Sequence, residues 1–282
     1  MLEKKVNVTD TKELYTDIYR TDGHDYGNTS AFRTRHLLGM VNKWISQLDL
    51  KDDAVVIEIG AALGQLSGSH QNWRGFEYSA TAVQLAKEIH GPSFNISEAD
   101  ARDLPLETNS VDFVYSFATL EHIPEIEKVF LEIERIVKPG GVAMLAPAWN
   151  CRSWTVKKLQ QRPYSELPVI DKLGKFFIPL RNNLVFRMLG SMPSRIYREI
   201  KLVLGAPVSL DYKKLEPDFS LWEKYPHISD DDAFVSIDAH AALAYFVAKK
   251  WEILSHTSFI SRFMCRGEEV VVRKPIEILK SE

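Results

Sequence analysis

The clearest chemical signature in the chain is a group of small and acidic residues that closes a short apolar run. Residues 55–59 are rich in β-branched side chains, which is typical of a buried strand, and Gly60, Ala62 and Gly64 follow it. Small residues at the carboxyl end of a parallel strand let the backbone approach a ligand closely. Glu58 adds a carboxylate at the same place. This acid disfavours a pyrophosphate and suits a ligand with an ammonium group or hydroxyls.

Further polar residues recur after the apolar runs downstream. Glu77 follows about one strand later, where a carboxylate can bind the two hydroxyls of a ribose. Asp100 and Ala101 lie in a polar turn, and the Asp can accept a hydrogen bond from an exocyclic amine. Residues 111–117 are predicted to form a buried strand that contains Ser116 and leads to His122.

Together these pieces resemble the class I S-adenosylmethionine-dependent methyltransferases, in particular the small-molecule branch called type 11. The matching pieces are Glu58-x-Gly60-x-Ala62-x-Gly64, Glu77, Asp100-Ala101, residues 116–122 and Lys138-Pro139-Gly140-Gly141. The resemblance covers residues 50–150, with a weaker tail at 240–275. It implies an α/β, Rossmann-like, doubly wound sheet of seven mostly parallel strands with an antiparallel last strand. A helical N-terminus and an inserted lid are expected around this core.

The resemblance also implies the cofactor, S-adenosylmethionine, and a role for each matching residue. The loop from Gly60 to Gly64 takes the methionine end, with Glu58 beside it, and Glu77 takes the ribose hydroxyls. Asp100 and the backbone of Ala101 take the adenine. By the same resemblance Tyr78 packs on the adenine ring, and Ser116 completes the set of cofactor-binding residues.

Two features depart from the family pattern. Ala62 stands where the family has its second glycine, which narrows the backbone conformations of the loop. The spacing from Glu58 to Glu77 is short, and residues 65–72 are a poor helix that contains Gly68. The first helix of the fold is therefore expected to shrink to a turn or two, which changes the wall beside the methionine end of the cofactor.

His122 is the candidate catalytic base for O-methylation of a hydroxyl, because an imidazole titrates near neutral pH and this one follows the fourth strand. The alternative is a structural histidine that packs the start of the next helix. Glu121 is expected to face solvent or a helix end.

Residues 230–232 with Asp238 and His240 could bind a metal, but their spacing fits a helix-start acid cluster better, so no metal site is predicted. Other reactions stay open: N- or C-methylation of a small metabolite, or non-catalytic binding of the cofactor.

The hydrophobic pattern predicts four segments. A helical N-terminal cap spans 1–50, the cofactor-binding core 51–147, an inserted acceptor subdomain 148–234, and the completion of the core sheet 235–282, which begins with a helix and ends with two strands. In the cap, Tyr15, Tyr19 and Tyr26 could close over the sulfonium, although core packing explains the first two better. Arg33 or Arg35 could bind a carboxylate.

The insertion has an uneven charge pattern that bears on the acceptor. Its first half is apolar and basic through residues 172–201, and its second half is acidic and aromatic. It starts at the end of the fifth strand, so its root is expected on the acceptor side of the pocket, with Trp149, Asn150, Trp154 and His227 facing a polyhydroxyl substrate. This predicts a sugar or glycan acceptor. If residues 172–201 touch a membrane surface, the acceptor is expected to be lipid-linked; the alternative is that the charges of these helices are simply solvated.

Composition sets the remaining bounds. The net charge of −3 gives no case for nucleic acid as a general partner. Two cysteines cannot form a disulfide framework, and the first residues have no apolar signal-peptide core. A cytoplasmic location is therefore expected. The chain of 282 residues is long enough for one large core with an inserted subdomain.

Overall fold

The computed structural model describes residues 12, 15, 16, 19, 20, 31–222 and 224–276. The chain divides into two compact units. One, which we call the sheet unit, comprises Val6–Thr119, Glu127–Leu145 and Val271–Glu282. The other, the insertion unit, comprises Leu120–Ile126 and Ala146–Val270 among the described residues. The predicted division at residues 50, 147 and 234 stays a prediction.

The strands are short, and most are buried. They are β1 Val56–Ile59, β2 Trp73–Glu77, β3 Ile96–Glu98, β4 Val111–Phe117, β5 Val137–Ala146, β6 Tyr212–Lys214, β7 Val235–Ile237, β8 Glu252–Ile253 and β9 Val270–Arg273. The helices are α1 Ala31–Gln47, α2 Ala80–His90, α3 Ile126–Ile136, α4 Ser153–Val156, α5 Val169–Phe176, α6 Ile178–Asn182, α7 Leu184–Val203, α8 Ala239–Ala248 and α9 Phe259–Met264.

Seven strands form one sheet in the order β3-β2-β1-β4-β5-β9-β8. The pairs β1–β2, β1–β4 and β2–β3 are parallel. The last strand is antiparallel to its neighbour: the Gly140 N–H donates to the Lys274 carbonyl at 2.9 Å, and the Lys274 N–H donates to the Gly141 carbonyl at 2.9 Å. The predicted mostly parallel, seven-stranded sheet with an antiparallel last strand is confirmed.

The connection between β1 and β2 differs from the usual strand–helix–strand unit. Residues 60–72, all of which the structure describes, contain one 3₁₀ turn at Ser67–Ser69 and no α-helix. The predicted shortening of the first helix is therefore confirmed. Its physical cause is local, since Gly68 and the polar residues around it favour turns over helix.

The insertion unit is built mainly from helices, with a small antiparallel sheet of β6 and β7. Asp238 caps α8 by accepting a hydrogen bond from the His240 N–H. The same carboxylate accepts two charge-assisted bonds from Arg195 of α7, at 3.0 and 2.6 Å. This ion pair ties α7 to the start of α8. Residues 235–237, predicted as the start of that helix, instead form β7, where Val235 and Ile237 are buried.

Candidate active site

The loop after β1 has a backbone that few residue types adopt. Gly60 and Gly64 both have φ of +76°, and Ala62 has φ of +46°. A Cβ atom on Gly60 would overlap the Thr119 side chain, so this position accepts only glycine without movement. Ala62 occupies the left-handed region with a Cβ, which costs free energy. The role of this loop at the methionine end of the cofactor stays a prediction.

Glu77 fixes this loop from the neighbouring strand. Its Oε2 accepts a hydrogen bond from the Ala62 N–H at 2.9 Å, and its Oε1 accepts one from the Ser79 N–H at 3.0 Å. Burial raises the pKa of Glu77, while those backbone N–H groups oppose the rise. Each carboxylate oxygen has a second acceptor site. Glu77 can therefore hold the loop and still accept bonds from two ribose hydroxyls.

Glu58 points into a buried polar network. Its Oε2 accepts hydrogen bonds from the Trp73 indole N–H at 3.1 Å and the Tyr115 hydroxyl at 3.2 Å. Ser69 also bonds the Tyr115 hydroxyl, at 3.0 Å. Burial raises the pKa of Glu58 to about 8, although the bonds from Trp73 and Tyr115 oppose it. At neutral pH this acid is mostly neutral, so it organises the loop more than it supplies negative charge.

Aromatic side chains support the loop where a helix usually would. Trp73 and Phe94 pack with ring centroids 5.4 Å apart, and Phe94 stacks on His90 at 4.3 Å. The Phe94 ring occupies the space that a Cβ on Gly64 would need. His90 Nε2 also bonds the Leu63 carbonyl at 3.0 Å. The sequence interpretation missed this support, because its members come from three elements that show no common spacing.

The adenine-side residues lie after β3. The Ala99 N–H donates to the Glu77 carbonyl at 2.9 Å, which places this turn beside the end of β2. The Asp100 carboxylate accepts hydrogen bonds from the backbone N–H and the guanidinium of Arg102. Burial raises the pKa of Asp100, but the bonds from Arg102 outweigh burial and lower the pKa. Asp100 is therefore an ionised acceptor. The Ser116 hydroxyl donates to the Ile59 carbonyl at 2.9 Å and is fully buried, so it locks β4 to β1.

The tyrosines have different surroundings. Lys12 lies over the Tyr78 ring, with its Nζ 5.8 Å from the ring centre. Tyr19 is buried and packs with Leu63 and Ala82 in the core, as the core-packing alternative predicts. Tyr26 lies outside the described residues.

In the insertion unit, His122 lies in a pocket of carboxylates. Its Nδ1 is 3.2 Å from Asp232 Oδ1, and its Nε2 is 3.6 Å from Glu121 Oε1. Burial lowers the pKa of His122, but Asp232, Glu121 and Asp230 outweigh it and raise the pKa to about 10. In the ligand-free protein the ring is therefore an imidazolium at neutral pH.

Two predictions about the acids near His122 are wrong. Glu121 does not face solvent: it is 1% exposed, and its Oε1 accepts a hydrogen bond from the Ala148 N–H at 3.0 Å. Asp231 and Asp232 do not start a helix but lie buried in the turn before β7, where Asp231 pairs with the fully buried Lys158. Sequence reasoning missed Lys158, since one lysine in a mixed segment gives no signal of burial.

His240 lies in the first turn of α8, as the helix-start interpretation predicts, and is fully buried. Its Nε2 bonds Glu199 Oε1 at 2.9 Å, and Glu199 is held by Arg262 at 2.7 Å. Among the described residues, no group of three or more His, Cys, Asp or Glu side chains could hold a metal ion.

The sheet unit thus brings together most residues predicted to bind the cofactor. Glu58, Gly60, Ala62 and Glu77 converge at the carboxyl ends of β1 and β2. The helix N-terminus that phosphate-binding loops use is not present in residues 60–72 of this structure. The loop therefore lacks one of the features that a pyrophosphate site uses.

Residues 57–145 match the protein family described as "Methyltransferase domain". This segment belongs to the class I, type 11 methyltransferases. The match confirms the predicted family and, with it, the cofactor S-adenosylmethionine. It covers the sheet unit from β1 to β5 and leaves most of the insertion unit unmatched.

Similar proteins carry diverse names. A demethylmenaquinone methyltransferase of Staphylococcus haemolyticus is 31% identical over 83 residues, 29% of this chain and 35% of that protein. A sterol 4-C-methyltransferase of Caenorhabditis elegans is 30% identical over 107 residues, 34% of this chain and 31% of that protein. A chloroplastic tocopherol O-methyltransferase of Arabidopsis thaliana is 34% identical over 101 residues, 36% of this chain and 27% of that protein. The chain spans about a third of the length of these relatives.

Proposed function

We propose that the whole chain is an S-adenosylmethionine-dependent methyltransferase that methylates a hydroxyl of a sugar or glycan, with His122 as the base. The observation that carries the methyltransferase assignment is the Glu77 clamp on the Ala62 N–H, inside the segment that matches the family. Methyl transfer from a sulfonium is an in-line displacement whose chemistry resides in the cofactor. The protein supplies position and, for a hydroxyl, an acceptor for its proton.

Calorimetry with S-adenosylhomocysteine tests the cofactor site. Glu77→Ala should weaken binding at least tenfold, because it removes both the loop clamp and the ribose acceptor. Glu88→Ala is the matched control, since Glu88 is an exposed acid on α2 that accepts a hydrogen bond from Gln84. Undiminished binding by Glu77→Ala, or no binding by the wild type, would contradict the assignment. Turnover with any acceptor excludes a purely binding role.

The hydroxyl assignment is supported by the pairing of His122 with Asp232, because the carboxylate orients the ring. Since the pKa of His122 is raised to about 10, the ring takes a proton from an alcohol only in its neutral form, which becomes abundant at high pH. The acceptors named for the relatives include a sterol and tocopherol, so the family places no single chemical limit on the acceptor. In this proposal the enzyme works in the cytoplasm, and its cysteines, Cys151 and Cys265, are buried free thiols.

We also propose that residues 172–201 contact an anionic membrane surface. Among the described residues, the exposed large hydrophobic side chains all lie at 164–204 or 259–264 except Phe32, Ile89, Leu131 and Ile276. Val203 is 85% exposed and Ile170 73%. Basic residues interleave with them: Lys172, Lys175, Arg181, Arg187 and Lys201. An apolar face mixed with cations is typical of helices that lie in a membrane interface.

Flotation with liposomes tests this contact. The chain should float with vesicles that contain phosphatidylserine at low salt and lose binding as salt rises. No helix among the described residues is long and apolar enough to span a bilayer, so binding should be reversible. Absence of binding at low salt, or concentration-dependent dimers that cover this face instead, would contradict the proposal.

A further inference from the structure

A groove in the insertion unit has the walls of a ligand site, and its lining includes Trp154, which the sequence analysis placed against the acceptor. It measures about 480 Å³ and lies between α4, α5, α6 and the start of α7. Apolar side chains form most of its wall, among them Leu159, Ile170, Leu173, Phe177 and Phe186. A volume of roughly 300–1,000 Å³ is typical of sites for small molecules. Ile170 and Phe186 also belong to the exposed apolar face, so the groove opens onto it.

Its polar side chains are Ser153, Trp154, Lys157, Arg181 and one acid, Asp171. The Trp154 side chain is 7% exposed, and its indole N–H has no hydrogen-bond partner. The Arg181 guanidinium lies 4.4 Å from the centre of the Trp154 ring, and it forms no ion pair with a carboxylate of the described residues. Lys157 also lines the groove and is 3.9 Å from Asp171. A buried donor without a partner is costly unless a ligand satisfies it.

We propose that this groove binds one lipid molecule that carries an anionic phosphate headgroup. The apolar walls cover the hydrocarbon chain, while the Arg181 guanidinium, which lies over the Trp154 ring, meets the phosphate oxygens. A guanidinium is well matched to phosphate, because its planar donors form paired hydrogen bonds. The chemistry is shared by a membrane phospholipid and by a lipid-linked acceptor. The inference does not depend on methyl transfer.

The experiment measures binding of dioctanoyl phosphatidic acid, below its micelle concentration, to the full chain by calorimetry without cofactor. Two matched probes separate the contributions: dioctanoylglycerol lacks the phosphate, and glycerol 3-phosphate lacks the chains. Phosphatidic acid should bind at least tenfold more tightly than either. Equal affinity for the phosphate-free probe would overturn the assignment of the headgroup, and no binding would overturn the site.

Variants locate the site. Gly174→Leu should weaken binding at least tenfold, because a Cβ there is 3.6 Å from Leu159 Cδ1 and a longer side chain fills the groove. Gly190→Leu is its control, since a Cβ at that helical position meets nothing within 4 Å. Arg181→Gln should weaken binding similarly, whereas Lys201→Gln, outside the groove, should change it less than twofold. Equal affinity of Gly174→Leu and Gly190→Leu would overturn the proposal.

A last comparison separates the two sources of the ligand. A polyprenyl phosphate of similar chain length that binds at least tenfold more tightly than phosphatidic acid supports a lipid-linked acceptor. Equal or weaker binding supports a membrane phospholipid in the same groove. Because the binding experiment contains no methyl donor, failure to bind lipid leaves the methyltransferase proposal intact. A protein that binds lipid but shows no methyl transfer leaves the lipid-site proposal intact.

Discussion

At the scale of single residues, the structure assigns protonation states that the sequence could not. The sequence singled out Glu58, Glu77 and His122 as candidate functional residues, because each is an acid or a histidine that ends or follows a predicted strand. Their charge depends on neighbours distant in the chain, such as Tyr115 for Glu58 and Asp232 for His122. The expectation that Glu58 is a carboxylate at neutral pH is therefore replaced by a mostly neutral acid.

Glu58 should make the protein less stable as pH rises. Its pKa is about 8 in the folded chain and near 4.5 when unfolded, so the folded state binds more protons between these values. Stability then falls with rising pH across this window. Glu58→Gln keeps a neutral acceptor for Trp73 and Tyr115, and its melting temperature relative to wild type should rise from pH 5 to pH 8. A constant difference across that range would show that Glu58 is ionised throughout.

His122 and Asp232 should control the pH dependence of methyl transfer. The base form is the neutral ring, and the pKa of His122 is about 10, so the turnover rate should climb as pH rises toward 10. Asp232→Asn removes the strongest carboxylate influence and should move the rise toward neutral pH. His122→Ala should lower the rate about 10²- to 10⁴-fold, without the pH-dependent rise, and leave cofactor affinity nearly unchanged. If the pH–rate profile of Asp232→Asn is the same as that of the wild type, Asp232 does not control the titration of His122.

At the scale of elements, the ligand loop stores backbone strain at one residue. Ala62 has φ of +46°, a conformation that costs a non-glycine residue about 1 kcal/mol or more. Ala62→Gly should raise the free energy of unfolding by about that amount. Gly60→Ala should lower it by more, because the new Cβ overlaps Thr119. Gly68→Ala is the control, with nothing within 4 Å of its Cβ, and should have little effect. Unfolding in denaturant measures these free energies. A lower free energy of unfolding for Ala62→Gly than for the wild type would contradict the inference that Ala62 is strained.

Elements with strong local patterns were predictable, and elements set by pairing were not. The predicted strand at 111–117 coincides with β4, because its apolar run is long and bounded by turn residues. β5 begins at Val137 and runs through Lys138-Pro139-Gly140-Gly141, although Pro and Gly weaken a strand. Pairing of Gly140 and Gly141 with Lys274 extends the strand there. β6 and β7, three residues each, carry no periodic signal and form by pairing with each other.

At the scale of the whole molecule, more of the sheet unit than of the insertion unit could be predicted from the sequence. The family match ends at residue 145, and the cofactor residues could be named from their motif. The insertion unit has no comparable motif. Its organisation depends on buried ion pairs such as Lys158–Asp231 and Arg195–Asp238, whose partners are 73 and 43 residues apart. Such pairs follow from the fold and cannot be read from local spacing.

This division predicts that two ligands protect different segments from amide hydrogen exchange. S-adenosylhomocysteine should slow exchange at residues 57–64, 75–79 and 98–102, where the loop and the acids after β2 and β3 lie. Dioctanoyl phosphatidic acid should slow exchange at 153–186, around the groove of the insertion unit. Amide hydrogens exchange through local opening of the structure, and a bound ligand suppresses opening of the segments it contacts, so protection should be strongest where the ligand binds. Protection of 57–64 by the lipid but not by S-adenosylhomocysteine would reverse both assignments, because the loop would then belong to the lipid.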